Sequence, residues 1–252
     1  MMRVLKIVLL VAGALLATAL IAASLFYLWP TTSQRLQTAT PETVSYEKAI
    51  DRIKTQDADE SSRGVKEACR SKLLTHGKQT EKAAVLFHGI TACPEQLGDF
   101  AQKLYDEGYN VYIPLAPHHG LPDAQAHQAV VANELADYAE ESTTITTGIG
   151  RSIGTIGLSG GAVVATWAAQ YRPEITRLLV LSPFYEPAVS QAPKWQLPFL
   201  KKLHGYHILG NQFNGPDGTG LSLRALANYL ILVDNFKQQP SDLGLKSIAS
   251  VV

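Results

Sequence analysis

The segment Gly157-Leu158-Ser159-Gly160-Gly161 decides how the rest of this chain is interpreted. It follows an apolar, strand-like run at residues 153–158 and precedes a helix-like run at residues 162–171. A serine at such a junction predicts a sharp, strained turn that lifts its hydroxyl above the end of a sheet. Gly157 and Gly161 carry no side chain to collide where the strand and the helix cross. The pattern predicts a strand–turn–helix unit that displays Ser159.

This arrangement is the pattern of a nucleophile elbow, in which the displayed hydroxyl attacks a carbonyl carbon. The backbone N–H of Gly160 follows the nucleophile and can help to hold the resulting oxyanion, assisted by the positive end of the following helix. A chance match is the alternative, but the strand and helix on either side favour an elbow. Ser159 is therefore the predicted nucleophile and Gly160 a predicted oxyanion donor.

A second signal lies upstream, where a buried-strand run at residues 83–87 opens into His88-Gly89-Ile90-Thr91. This strand and its His-Gly loop, a helix at 94–107, a strand at 110–114 and the elbow resemble a bacterial carboxylesterase or monoacylglycerol-lipase-like α/β-hydrolase. The resemblance covers residues 69 to 252 approximately. It implies that the N–H of Ile90 is the second oxyanion donor and that His88 and Gly89 support the loop.

The resemblance also implies the architecture. Strand and helix signals alternate, as expected for a mainly parallel sheet with helices on both faces. The predicted strands are residues 72–75, 83–87, 110–113, 153–158, 177–181 and 247–252. The irregular stretch at about 183–240 stands where the family inserts a cap after its sixth strand. Its aromatic residues either line an acyl pocket or pack inside the cap: Trp195, Phe199, Tyr206, Phe213 and Tyr229.

The loop at residues 113–120 resembles the one that follows the fourth strand in that family, and it contains His118 and His119. Paired histidines raise the possibility of a metal site, but no carboxylates or cysteines complete a ligand set at a recognisable spacing. Hydrogen bonding beneath the active site is the favoured interpretation. No metal site and no cofactor are predicted.

A serine hydroxyl needs a histidine to remove its proton and a carboxylate to orient that histidine. In the family the acid follows the seventh strand, here residues 247–252, and the histidine follows an eighth. We therefore expect a C-terminally truncated domain whose parent chain continues with both residues. A less favoured substitute is Glu186, after the sixth strand, with His204 or His207 as the base.

Two further carboxylates fit the usual order poorly. Asp234 and Asp242 follow the last histidine of the chain, whereas the family places the acid before the histidine.

The amino terminus contains an uncharged, mostly apolar run of 23 residues, 7–29, which is long enough to cross a bilayer as a helix. Arg3 and Lys6 precede it and place that end in the cytoplasm. The remainder is then extracytoplasmic, in the periplasm or at the cell surface. A signal peptide cleaved near residues 17–19 or 22–24 is the alternative. Because the apolar run continues past both sites, an uncleaved single-pass anchor is favoured.

Composition divides the chain into an anchor at 1–30, a polar spacer at 31–66 and an incomplete hydrolase domain at 67–252. The alternative for the spacer is a loosely packed extension of the domain. Because the net charge is zero and the pI about 7.1, no electrostatic attraction to nucleic acid is encoded.

Cys69 and Cys93 are the two cysteines of the chain. In an exported protein they permit a disulfide that ties the His-Gly loop to the first edge of the domain. Such a bridge stabilises by roughly 3 kcal/mol in the loop-entropy treatment. Two unrelated thiols are the alternative.

These features together predict a membrane-anchored extracytoplasmic serine hydrolase that cleaves small-molecule or lipid carboxylic esters. A thioesterase, an acyltransferase or a serine aminopeptidase uses the same scaffold and stays open. A non-catalytic α/β-hydrolase-like binding domain, whose elbow is only a relic of the fold, is the alternative from a different class.

Overall fold

A computed structural model describes residues 2–190, 192–212, 220–237 and 245–251. Within them lies a six-stranded sheet with the order β1-β3-β2-β4-β5-β6. Its strands are β1 (Lys72–Leu74), β2 (Thr80–Phe87), β3 (Asn110–Ile113), β4 (Gly150–Leu158), β5 (Ile175–Leu181) and β6 (Ser247–Val251).

The sheet is parallel except for β1, which pairs antiparallel with β3 at one edge. All six predicted strands are present, several of them longer than the pattern indicated, while Val252 lies outside the described residues. Because the remaining strands are parallel, their carboxyl ends meet at a single edge of the sheet, here called the carboxyl edge. Crevices beyond this edge are where open α/β sheets bind ligands.

Seven α-helices are described: α1 (Met2–Leu28), α2 (Tyr46–Ser62), α3 (Gly98–Asp106), α4 (Ala132–Ile149), α5 (Gly160–Tyr171), α6 (Leu197–Gly205) and α7 (Leu223–Asp234). Two apolar clusters cover the two faces of the sheet. In the larger, Trp167 of α5 and Leu135 of α4 pack with Phe87, and in the smaller, Ala101 of α3 packs with Leu86. The predicted α/β-hydrolase fold, with helices on both faces, is confirmed.

Helix α4 is a buried element that the sequence pattern does not reveal. Its C-terminal half is rich in serine and threonine, yet nearly all of these side chains are buried. Thr143 and Thr146 bury their hydroxyls by donating to the carbonyls of Ala139 and Ser142, at 2.7 Å each. Because the helix's own backbone supplies these acceptors, the hydroxyls of both threonines are paired inside the core.

Residues of the predicted polar spacer pack against the domain. Leu36 is 3% exposed, and the indole Nε1 of Trp167 donates to its carbonyl at 2.7 Å. Farther along, buried Arg172 donates to the carbonyl of Glu42 at 3.0 Å. Helix α2 lies against α4 so closely that a Cβ on Gly148 would stand 2.6 Å from the Cβ of Ala49. These contacts match the alternative of an N-terminal extension, while the three-part division of the chain stays a prediction.

The cap region contains more regular structure than predicted. Residues 183–240 were expected to be irregular, but α6 and α7 lie within them and pack against each other. Their apolar faces drive this pairing, since Leu226, Tyr229 and Leu230 are buried. Phe213 and Asp242 lie outside the described residues.

The predicted disulfide between Cys69 and Cys93 is confirmed, with a Cα–Cα distance of 5.1 Å. Helix α1 is long and apolar enough to cross a membrane, with a mean hydropathy of 2.6 and no buried residue. Both a membrane anchor and a signal sequence have these properties.

Candidate active site

Ser159 occupies a strained backbone conformation at the junction of β4 and α5, with φ 55° and ψ −116°. Its N–H donates to the carbonyl of Leu181 at 2.9 Å, and its own carbonyl accepts from Ala162 at 3.1 Å and Phe184 at 3.2 Å. A serine rarely adopts a positive φ unless its surroundings impose it. Here these three hydrogen bonds hold the turn, so the predicted elbow geometry is present.

Two glycines permit this turn. A Cβ on Gly157 would stand 2.3 Å from the carbonyl oxygen of Gly161. A Cβ on Gly161 would stand 2.0 Å from the carbonyl oxygen of Phe87. Both neighbours are backbone atoms, which cannot rotate away, so any side chain at either position forces β4, α5 and β2 apart.

The His-Gly loop lies directly beside the elbow. A Cβ on Gly89 would come within 3.7 Å of the Cβ of Ser159, and one on Gly160 would meet Cγ1 of Ile90 at 2.2 Å. Ile90 and Gly160 are thus neighbours next to Ser159. The structure brings together the predicted nucleophile and the two residues whose N–H groups were predicted as oxyanion donors.

Buried His88 orients the peptide that contains the Ile90 N–H. Its Nε2 accepts from the N–H of Ala116 at 3.0 Å, so in the neutral ring Nδ1 carries the proton and donates to the carbonyl of Gly89 at 2.9 Å. In a trans peptide the C=O and the following N–H point in opposite directions. By holding the Gly89 carbonyl, His88 therefore sets the direction of the Ile90 N–H.

Burial, reinforced by the nearby His119 ring, lowers the pKa of His88 to about 3. The imidazole is thus neutral at physiological pH, and its role as a support for the loop stays a prediction.

Two more side chains hold the same loop. The N–H of Gly89 donates to Oε1 of Gln96 at 2.9 Å, and Nε2 of His119 lies 2.5 Å from the carbonyl oxygen of Ile90. Burial also lowers the pKa of His119. The contact of His119 is the hydrogen bonding expected of this loop. Gln96 has no counterpart among the predicted residues, because a lone glutamine in a helix turn carries no motif signal.

The neighbouring His118 does not take part in this loop. Its Nε2 lies 3.1 Å from Oε2 of Glu134. Within the described ranges, no group of three or more histidine, cysteine, aspartate or glutamate side chains is placed to hold a metal ion.

A cavity of about 360 Å³ lies behind the loop. It is bounded by Ile90, Cys93, His119 and His127, and Ser159 is not among the described residues that line it. Cys69 and Cys93 both line the cavity, so it lies on the side of the loop that holds the disulfide.

The substitute acid and bases lie apart from one another. Glu186 is exposed and its Oε2 pairs with Nζ of Lys194 at 3.4 Å. His204 is buried in α6, its Nδ1 has no hydrogen-bond partner among the described residues, and His207 is exposed with φ 57°. His204 and His207 are linked only through the backbone, where the N–H of His207 donates to the carbonyl of His204 at 3.0 Å. In the described part of the chain, no side-chain hydrogen bond links any of these three to another or to the hydroxyl of Ser159. Their roles stay predictions.

The largely parallel sheet, the serine elbow and the adjoining His-Gly loop define an α/β-hydrolase. The sequence profile described as "Serine aminopeptidase, S33" matches residues 78–223, more than half of the chain, and the protein belongs to this family. No curated protein sequence matches the chain.

Solved structures share the fold. One is the monoacylglycerol lipase of Paleococcus ferrophilus, with a TM-score of 0.53 and 15% identity, over 72% of this chain and 86% of that one. Another belongs to the study of LipS and LipT, two metagenome-derived lipolytic enzymes, with a TM-score of 0.54 and 15% identity, over 74% of this chain and 88% of that one.

Proposed function

We propose that the protein is a membrane-anchored serine hydrolase that cleaves carboxylic esters through an acyl-enzyme on Ser159. The observation that carries the proposal is the strained turn at Ser159, with the His-Gly loop and its Ile90 held beside it. A backbone strain of this kind costs on the order of 1–3 kcal/mol and persists where the surrounding structure imposes it, often at catalytic sites.

The chemistry follows from these positions. The hydroxyl oxygen of Ser159 attacks the ester carbonyl carbon while a base removes the hydroxyl proton. The negative charge that develops on the carbonyl oxygen is stabilised by the N–H groups of Ile90 and Gly160. The alcohol then leaves with the proton, and water releases the acid from the acyl-enzyme by the same route. Loss of one oxyanion donor typically lowers kcat by about 10²–10³-fold.

Ester substrates are proposed because of the lipolytic structural relatives and the resemblance to carboxylesterases. The family description names a serine aminopeptidase, so amide hydrolysis is the second candidate, and thioester hydrolysis and acyl transfer belong in the same assay panel. Hydrolysis of p-nitrophenyl esters with little release from aminoacyl-p-nitroanilides supports the ester proposal, and the reverse preference contradicts it.

The location is also a proposal. Arg3 and Lys6 precede the apolar part of α1, which favours a single-pass anchor with the domain extracytoplasmic. The Cys69–Cys93 disulfide supports this orientation, because such bonds persist in oxidising compartments. Protease accessibility in intact and opened cells tests it: digestion of the domain only after the cytoplasm is opened would contradict the proposal.

A fluorophosphonate probe tests the nucleophile directly. We expect covalent labelling that Ser159→Ala abolishes and that the control Ser190→Ala, at an exposed serine, leaves unchanged. The probe is applied to the 252-residue chain. Labelling of Ser159 directs the search for the base to His204 and His207. The absence of labelling contradicts the acyl-enzyme proposal and supports the non-catalytic binding domain instead.

A further inference from the structure

The end of α1 is fastened to the cap helix α6. Nζ of Lys202 donates to the carbonyls of Phe26 and Tyr27, at 2.5 and 2.6 Å. The ring of Phe199 lies beside the same two residues, with centroid distances of 6.4 Å to Phe26 and 5.3 Å to Tyr27. Carbonyls in the last turn of a helix have no intrahelical partner, and a cation there is favourable. Lys202 supplies both the donors and the charge.

The burial of Lys202 shows that this contact is specific. The residue is 2% exposed although lysine normally keeps its ammonium in water. Two charged groups that influence its pKa, Lys201 and Asp234, pair with each other at 2.6 Å. Within the described ranges, the end of α1 therefore accepts both hydrogen bonds that the Lys202 ammonium donates.

The residues that follow α1 are hydrogen-bonded directly to the end of α7. Asn235, at the end of α7, accepts from the N–H of Ser33 at 2.8 Å and donates to the carbonyl of Thr31 at 3.2 Å. Thr31 also contacts Asp234. The domain thus begins within a few residues of the apolar helix, rather than at the end of a flexible spacer.

Topology tells which edge of the sheet lies next to α1. Trp29 shares a cavity of about 350 Å³ with Ala132 and Asn133, at the start of α4. Helix α4 runs directly into β4, so its start lies at the carboxyl edge of the sheet and its end at the opposite edge. Ser159 follows β4 and lies at the carboxyl edge as well. The end of α1 and the nucleophile therefore share one edge of the sheet.

Both ends of α6 carry exposed apolar and aromatic side chains. They are 45–61% exposed and comprise Trp195 before the helix and Tyr206, Ile208 and Leu209 after it. Trp29, at the end of α1, is 68% exposed. Tryptophan and tyrosine are enriched where a membrane meets water. Since α6 contacts residues 26 and 27, about 5 Å or less along the helix axis from Trp29, it lies at the same depth.

We propose that α6 and its flanking aromatic residues lie in the interface of the bilayer that α1 crosses, with the carboxyl edge of the sheet facing the membrane. The partner is a phospholipid bilayer surface, and the substrate class is esters that reside in it. This inference rests on the proposed function, both for the retained anchor and for the ester chemistry. Lys202 is the positioning residue that holds α6 against the end of α1.

Tryptophan fluorescence in liposomes tests the orientation. The chain has three tryptophans, and in Trp29→Phe only buried Trp167 and exposed Trp195 remain. In phosphatidylcholine with brominated acyl chains we expect the loss of up to about half of the emission, from Trp195 alone, because an interfacial indole lies within reach of the bromines. In Trp29→Phe/Trp195→Phe this quenching should disappear.

A distant tryptophan supplies the matched control. Lys78 is exposed, and its carbonyl and that of Ile149, the last residue of α4, accept hydrogen bonds from the same amide, Asn110. The 18 residues of α4 place it about 27 Å from the end of α1. Lys78→Trp, in the doubly substituted background, should be quenched by aqueous iodide and not by brominated lipid. Equal behaviour of Trp195 and this tryptophan would overturn the proposal.

The clamp is tested with Lys202→Met, which keeps the apolar stem. Quenching of Trp195 by brominated lipid should fall at least two-fold, whereas the exposed control Lys194→Met should retain it. Unchanged quenching in Lys202→Met would remove Lys202 from the proposal. The comparison of Trp195 with the tryptophan introduced at position 78 is made in chains that keep Lys202. It therefore tests the orientation even if Lys202→Met fails to fold. Fluorophosphonate labelling is scored separately: lipid quenching without labelling defeats the proposed function and leaves the orientation standing, and labelling without quenching does the reverse.

Discussion

The disulfide supplies the prediction whose magnitude follows most directly from the structure. Cys69 and Cys93 are separated by 24 positions, so reduction frees a loop of that length in the unfolded chain. The loop-entropy relation gives an unfolded-state entropy difference near 11.6 cal/mol/K, or about 3.5 kcal/mol at 25 °C. With a urea slope of about 2–3 kcal/mol/M, the midpoint of unfolding should fall by roughly 1–2 M on reduction.

Urea unfolding in non-ionic detergent, with and without reductant, measures this shift. Cys69→Ala/Cys93→Ala is the matched control, and its midpoint should equal that of the reduced parent and ignore the reductant. The slope should stay the same if only the cross-link has changed. A reduced protein that unfolds at the same urea concentration as the oxidised one would refute the reasoning. A shift in the doubly substituted protein on adding reductant would show that the effect has another source.

Three other predictions concern stability. Gly161→Ala should unfold the domain or lower its free energy of unfolding by more than about 3 kcal/mol, because the new Cβ meets the carbonyl oxygen of Phe87. Gly98→Ala, with open space at its Cβ, is the control and should be neutral or slightly stabilising in thermal unfolding. Leu36→Ala should lose about 2–4 kcal/mol in urea unfolding, against less than about 0.5 kcal/mol for exposed Val189→Ala, and equal effects would contradict the packing of this segment. The pKa of His88 falls from 6.5 to about 3 on folding, so the unfolded chain takes up the proton first. Stability should be complete above pH 6.5 and fall by about 1.4 kcal/mol per pH unit below it, with a shallower slope in His88→Gln.

The elements that could be predicted from the sequence are those with a local, periodic signal. Apolar runs of strand length predicted all six strands, and the spacing of Gly157, Ser159 and Gly161 predicted the elbow, because a tight strand-to-helix crossing excludes side chains at fixed positions. The pairing of Cys69 with Cys93 followed from an even cysteine count in a chain that the sequence predicts to be exported.

The elements that escaped prediction depend on contacts between distant segments. Helix α4 has a polar composition and yet is buried, because its threonines donate their hydroxyl protons to carbonyls of the same helix. Residues 31–66 look like a spacer because few of them are large and apolar, yet Leu36 and Ala49 are buried in the core and the carbonyl of Glu42 accepts from buried Arg172. Gln96 supports the oxyanion loop only through a fold-dependent hydrogen bond to Gly89. Composition carries none of this information.

The predicted oxyanion side of the site is held by His88, which does not change charge near neutral pH. The Gly89 carbonyl and the Ile90 N–H are oriented by His88, whose pKa near 3 keeps it neutral, and burial lowers the pKa of His119 beneath them as well. A pH dependence of fluorophosphonate labelling between about pH 5 and 8 should therefore report the base that activates Ser159, since a neutral imidazole must be present to remove the proton.

His88→Gln separates the two contributions. Glutamine can donate to the Gly89 carbonyl but has no proton to titrate, so the variant should lower the rate of labelling while leaving its midpoint pH unchanged. A midpoint that moves with this substitution would show that His88 takes part in proton transfer, and that the brace derived from its two backbone hydrogen bonds is not its whole role.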